Sequence, residues 1–227
     1  MLEDSSSRLP LGARPGALAN RGSGGASLYP IIWKRLLDIG FVAMLAPVAI
    51  IVIAVLAFLV RRDGGPAFFL QERIGMGGRV FRMWKLRTMV PNADAHLAAY
   101  LAENRFARVE WERTQKLAMD PRVTRIGRFL RKYSLDELPQ LINVLQGEMS
   151  IVGPRPMCPE QRDSYPGSEY YWLRPGMTGL WQVSARNMSS FAERAIYDAR
   201  YAATMSFLVD IGILWKTASV VFRGTGY

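Results

Sequence analysis

The chain has one cysteine and one histidine among 227 residues. A single thiol excludes an intramolecular disulfide and any multi-cysteine metal site. A single imidazole removes His-rich zinc sites and two-histidine mechanisms, and leaves Ser-His-Asp chemistry only if His96 itself acts. His96 stands in a polar, alanine-rich stretch, NADAHLAAYLAEN, where an exposed helical histidine is expected. Acidic residues are scarce too: 19 Asp and Glu oppose 29 Lys and Arg, for a formal net charge of +10. Such a surplus suits a polyanion, whether nucleic acid, an acidic membrane surface or a phosphorylated substrate. The chemistry must therefore rest on carboxylates and cations, with or without a metal.

Large apolar groups are nearly missing from residues 1–29, which are rich in Gly, Ala, Ser, Pro and Arg. They read as a disordered basic tail without the apolar core of a signal peptide. Charge is then missing from residues 39–60, IGFVAMLAPVAIIVIAVLAFLV. Twenty-two residues of helix measure about 33 Å, against a hydrocarbon core of about 30 Å. The flanks are basic on both sides, Lys34 and Arg35 before and Arg61 and Arg62 after. The positive-inside rule then gives no orientation and favours both ends on one face. Pro47 removes a helical hydrogen bond inside the run, so a kink or break is expected there. A kinked span and a re-entrant helix-break-helix over residues 30–62 both satisfy these facts. Asp38 stands four residues after Lys34, a spacing that allows a local pair.

Residues 63–227 read as a cytosolic domain. Glycine turns separate short aromatic and β-branched runs near its start, which predicts small strands. An amphipathic helix is expected over 92–118 and a second, with one cationic and one apolar face, over 122–132. Loops should dominate from 153 to about 190, followed by apolar-periodic helices from about 191 and over 206–222.

The stretch RKYSLDELPQLINVLQGEMSIVGPRP places Asp136 and Glu137 directly after a row of cations. Ser134 and Glu137 match a capping box, and Asp136 would then favour the dipole of the first helical turn. The same residues also suit phosphate chemistry. Arg131 and Arg155, the latter held between two prolines, can grip phosphate oxygens. A carboxylate among them can bind Mg²⁺ or attack a phosphorus whose charge has been neutralised. Lys85 and Arg87 stand two apart in WKLRTM and would share one face of an extended segment.

From about residue 31 to the end, the chain resembles the bacterial sugar transferases of the monotopic phosphoglycosyl transferase superfamily. The collinear motifs are KR-x-x-D at 34–38, the apolar helix with Pro47, GGPAFFLQERIGMGG, FRMWKLRTM, the DPRVTRIGRFLRKYSLDEL…GPRP block, RPGMTGLWQVSARN and a late YDARY. The insert ending WERTQKLAMDPRVT and the short C-terminus resemble the succinoglycan-type hexose-1-phosphate transferases. The resemblance implies an α+β, mostly helical fold: a re-entrant membrane helix, then a compact catalytic domain with short strands and interfacial amphipathic helices. It implies transfer of a sugar-1-phosphate from a UDP-sugar, UDP-galactose with UDP-glucose as the alternative, to undecaprenyl phosphate, releasing UMP. Asp136 would be the nucleophile and a Mg²⁺ ligand, with Glu137 completing the dyad. Lys85, Arg87, Arg131, Arg155, Thr178, Gln182, Arg186 and Asp198 would bind substrate and phosphate. Lys34, Arg35, Asp38 and Pro47 would form the anchor at the cytoplasmic face of the inner membrane. Downstream glycosyltransferases, membrane lipids and a second copy of the chain are the further partners, and nucleic acid is not one. Two residues depart from the family pattern: Ala46 precedes Pro47 where serine is frequent, and Ala185 stands where glycine is usual. The competing class is a non-enzymatic, membrane-anchored basic module. It leaves the acidic pair inside the cationic cluster without a role.

Overall fold

The computed structural model of the chain describes residues 29–114, 117–184 and 189–222. The N-terminal tail up to residue 28, and Ala185 and Arg186 of the VSARN motif, lie outside the described residues.

The apolar run forms one helix, α1 (Lys34–Arg61), about 42 Å long. It passes through Pro47 without interruption, so the expected two arms are one continuous element. Its buried residues are Lys34, Asp38, Val42, Ala49, Leu56 and Val60. Steps of four and seven place them on one narrow stripe. That stripe lies against the domain along the whole helix. Asp38 Oδ1 accepts from Ser150 Oγ and Ile151 N at 2.9 Å each. Val42 and Ala49 join the main core, and Leu56 and Val60 pack with Leu86 and Leu130. The remaining circumference exposes Met44, Val48, Ile50, Ile51, Val55 and Phe58. By length and composition α1 is able to cross a membrane.

Strands β1 (Phe68–Ile74) and β2 (Val80–Leu86) form an antiparallel hairpin in which Phe68 faces Leu86 and Ile74 faces Val80. The expected helix over 92–118 is two helices, α2 (Ala93–Glu103) and α3 (Arg105–Thr114). They part at Asn104, whose backbone is extended (φ −117, ψ 101) and whose Oδ1 accepts from Ala107 N to restart the turn. Asparagine competes for backbone hydrogen bonds in this way, and an apolar-period count does not register it. His96 is exposed, as expected.

Helix α4 (Arg125–Lys132) is capped by Thr124, whose Oγ1 accepts from Gly127 N at 2.8 Å. A 3₁₀ turn over Leu135–Gln140 leads into α5 (Leu141–Gln146). Strands β3 (Ser150–Val152) and β4 (Gly176–Thr178) pair in parallel. Between them the chain makes 3₁₀ turns at Pro159–Gln161 and Glu169–Trp172. Helices α6 (Leu180–Ser184), α7 (Arg194–Thr204) and α8 (Phe207–Phe222) complete the described chain. The mostly helical α+β class is therefore as expected, with the core lying between α1, the hairpin, α5, β3 and α7–α8.

Candidate active site

The acidic pair does not cap a helix. Ser134 has a left-handed backbone (φ 55) and its side chain makes no capping bond. The capping box is thereby excluded, because an N-cap needs extended backbone to aim its hydroxyl at the following amides. Instead, Glu137 Oε1 takes Lys85 Nζ at 2.8 Å, and Asp136 Oδ2 lies 3.7 Å from the same nitrogen. Lys85 comes from β2 and the dyad from the 3₁₀ turn, two elements in close contact.

Asp136 is 7 % exposed. Burial pushes its carboxyl above the ordinary 3.8; Lys85 opposes the rise, Glu137 adds to it, and Arg131 opposes it. Arg131 is itself largely buried, and desolvation pulls its pKa down. Its Nε donates to Thr88 Oγ1 at 2.9 Å, which orients the guanidinium. Thr88 is held in turn, because its carbonyl accepts from Thr124 N at 3.1 Å. A Cβ on Gly127 would stand 2.0 Å from that oxygen, so only glycine lets α4 come this close.

Lys85, Arg131, Asp136 and Glu137 line a cavity of about 770 Å³ with Arg155, Thr178 and Gln182. Two motifs meet to place Arg155. A Cβ on Gly153 would lie 2.4 Å from the Arg174 carbonyl, and one on Gly176 2.1 Å from Gly153 N. Gly-Pro-Arg-Pro and Arg-Pro-Gly-Met-Thr-Gly thus owe their glycines to one close backbone crossing. Gly153 N donates to the Thr178 carbonyl and Gly176 N to the Pro154 carbonyl, both at 2.8 Å. Thr178 Oγ1 lies 2.7 Å from Thr217 Oγ1 on α8. Gln182 Nε2 donates to the Met177 carbonyl at 3.0 Å.

Two expected ligand-binding residues are placed otherwise. Arg87 borders the cavity, but its donors serve the chain. Nε donates to Pro66 O, Nη1 to Met89 O and Asp63, and Nη2 to Val60 O and Asp63. It follows β2 and fastens the loop leaving α1, so it does not share a role with Lys85. Asp198 lies on α7 outside the cavity lining, where its Oδ2 accepts from Tyr165 Oη at 2.6 Å. The helical period turns it inward toward Tyr165, and burial raises its pKa to about 6.

The anchor residues Lys34, Arg35 and Asp38 all bind the domain. Arg35 donates to the Val144 and Leu145 carbonyls at the end of α5. Lys34 Nζ lies 2.7 Å from Asp210 Oδ2, which also accepts from Tyr29 Oη, while Tyr201 Oη donates to Oδ1. Asp210 is fully buried and was missed by the sequence reading. Its signal was a lone charge in the apolar run SFLVDIGIL. Asn143 was missed as well; it receives Trp84 N and donates to the Arg82 carbonyl, tying α5 to β2.

Among the described residues no three His, Cys, Asp or Glu side chains converge on a metal position. The two adjacent carboxylates of Asp136 and Glu137 nevertheless fit Mg²⁺, which takes one or two protein carboxylates and completes its shell with phosphate oxygens and water.

A buried carboxylate thus stands with two cations on the wall of a cavity that a further arginine also lines. The chain matches the model of the bacterial sugar transferase family over residues 29–224, and it belongs to that family. It is 46 % identical over 195 residues to an undecaprenyl-phosphate galactose phosphotransferase of Salmonella typhimurium, covering 85 % of this chain and 41 % of that protein. It is 43 % identical over 199 residues to the exopolysaccharide production protein ExoY of Sinorhizobium fredii, covering 86 % and 88 %. A UDP-glucose:undecaprenyl-phosphate glucose-1-phosphate transferase of Caulobacter vibrioides is 37 % identical over 195 residues, covering 81 % and 67 %. The chain therefore spans about two-fifths of the length of the Salmonella relative.

Proposed function

We propose that the protein transfers a hexose-1-phosphate, galactose foremost, from a UDP-sugar to undecaprenyl phosphate and so begins an exopolysaccharide repeat. The observation that carries this reading is Asp136, buried on the cavity wall with Lys85 and Arg131 beside it. Desolvation raises the basicity of its carboxylate, and phosphoryl transfer needs mainly positioning and charge neutralisation. In the first step Asp136 Oδ attacks the phosphorus that bears the sugar. The bond from that phosphorus to the bridging oxygen breaks, and UMP leaves with the electron pair. In the second step an oxygen of the lipid phosphate attacks the same phosphorus, and the acyl-phosphate bond breaks to restore the carboxylate. Lys85 restrains both carboxylates, while Arg131 and Arg155 face the charge that accumulates on the phosphoryl oxygens. Mg²⁺, held by Asp136 and Glu137, would supply further neutralisation of the pyrophosphate.

The anchor reading keeps both ends of α1 on the cytoplasmic face, with α1 one continuous helix rather than two separate arms. It is supported by the attachment of both halves of α1 to one domain, through Asp38 at the start and Val60 at the end. A helix that carried its two ends to opposite sides of a bilayer would drag part of this cationic domain into hydrocarbon.

The deciding experiment is a quenched incubation with UDP-galactose and Mg²⁺ but no lipid. A hexose phosphate mass on the peptide containing Asp136 is expected, with Asp136→Asn folded but slower by orders of magnitude in full turnover. An active asparagine variant, or an adduct elsewhere, would overturn the assignment. A donor panel settles the sugar: UDP-galactose should be best and UDP-glucose next, and a preference for an N-acetylated donor would refute the hexose reading.

A further inference from the structure

Arg194, the first residue of α7, is 7 % exposed and makes no ion pair among the described residues. Its guanidinium carbon lies 5.0 Å from the ring centroids of both Trp181 and Phe191. Asp198, one turn later, is near enough to act on its charge, but its hydrogen bond comes from Tyr165. A buried cation with so little compensation is costly to keep, and among the described residues it makes one hydrogen bond. Arg194 Nη2 donates to the backbone carbonyl of Arg155 at 2.7 Å.

We infer that Arg194 is the positioning residue that sets the aim of Arg155 into the active-site cavity. The backbone on either side of Arg155 is fixed by other means. Gly153 and Pro154 are bound to β4. Met157 is bound to Ile74 and to Tyr170 Oη. The peptide of Arg155 itself has one hydrogen bond among the described residues, the one from Arg194. Prolines on both sides fix the flanking φ angles, and Pro156 keeps Arg155 extended; within that range the contact from Arg194 selects the orientation of the peptide plane. Turning the plane swings the Arg155 side chain. The two aromatic rings keep Arg194 in place by cation–π contact, and the charge of Asp198, one turn along α7, favours its positive form. This also gives Asp198 a place in the site that its position outside the cavity otherwise denies. Arg194 is not itself a lining residue of the cavity; it reaches it through the Arg155 carbonyl.

The activity half of the test rests on the transferase reading, so a second readout is independent of it. Hydrogen exchange is measured on the full-length, detergent-solubilised protein. Arg194→Met should speed exchange at least tenfold at the Met157 amide, which follows the released Arg155–Pro156 peptide, and leave the β1–β2 hairpin unchanged. Unchanged exchange at Met157, or acceleration spread evenly over the domain, overturns the proposal. In turnover, Arg194→Met and Arg155→Ala should each lose at least tenfold. The double variant should be within twofold of Arg155→Ala alone, because an aim cannot matter once the side chain is gone. Losses that multiply would show that Arg194 acts separately and would also overturn it. If the methionine variant does not fold, Arg194→Lys keeps the charge against the rings and loses the fork that reaches the carbonyl, and it should reproduce both signatures. A wild type that transfers no sugar phosphate while the exchange signature holds would instead refute the assigned reaction alone.

Discussion

Asp136 and Asp198 are both buried, and burial raises the pKa of both, that of Asp198 to about 6. Their neighbours separate them. Asp198 faces a tyrosine hydroxyl and the aromatic cluster of Tyr165, Tyr170 and Phe191, whereas Asp136 faces a lysine, a second carboxylate and open cavity. Lys85 is the group that holds Asp136 down against desolvation. Activity through Asp136 requires its ionised form, so the rate should fall as pH drops through its raised pKa. The acid limb of kcat/KM should therefore lie above the 3.8 of a free aspartate. Lys85→Met removes the opposing charge, lifts that pKa further and moves the limb to higher pH, with turnover reduced at neutral pH. Rate profiles of both proteins from pH 4.5 to 8 test this, and a limb displaced to lower pH would contradict it.

At the level of elements, the short parallel pair β3–β4 has more influence on the site than its six residues suggest. It carries Gly-Pro-Arg-Pro out of one strand and brings Thr178 in on the other. The pair depends on backbone crossing at Gly153 and Gly176 with no space for a methyl group. Gly176→Ala sets a Cβ 2.1 Å from one backbone nitrogen and 2.4 Å from the Thr178 carbonyl. That should cost about 3 kcal/mol, the upper part of the overpacking range, and remove activity by displacing Arg155. Gly212→Ala provides the contrast, since nothing lies within 4 Å of its would-be Cβ on α8. It should be neutral or stabilise the helix by up to about 1 kcal/mol. Unfolding in detergent compares the two, and equal stability of both variants would show that the crossing is looser than described.

Across the whole molecule, α1 is both an apolar surface and part of the core. One stripe of six residues is buried and the opposite face is exposed and apolar. Arg61 and Arg62 at the end of the helix are exposed, where anionic headgroups would attract them. In a Cys158→Ser background, Gly22→Cys and Arg62→Cys should both resist an impermeant thiol reagent in intact cells. Arg62 is exposed, whereas a side chain at Gly65 would strike the Arg87 guanidinium at 2.7 Å, so residue 62 is the sounder probe. Labelling of one site and not the other would mean that α1 crosses the bilayer.

The long apolar helix, the mostly helical class and the succession of an acidic pair after a row of cations are all legible in the order of residues. Those are composition and local periodicity, and twenty-two residues without charge have few places to go. The same order marks Gly153, Gly176 and Arg155 as special, and the fold supplies the reason. Which charge meets which depends on the folded arrangement. Ser134 and Glu137 have capping spacing, yet Lys85, 52 residues earlier, takes the glutamate. Arg87 and Asp198 carry the right charge for a ligand site, yet one is spent on a loop and the other faces a tyrosine. Asp210 stands out as a lone charge in an apolar run, but neither it nor Arg194 shows its partner locally, since Lys34 and Arg155 lie 176 and 39 residues away. Spacing along a chain fixes neighbours within a turn or a strand, whereas the pairing of buried charges is settled by desolvation, which acts only after distant segments have closed over them.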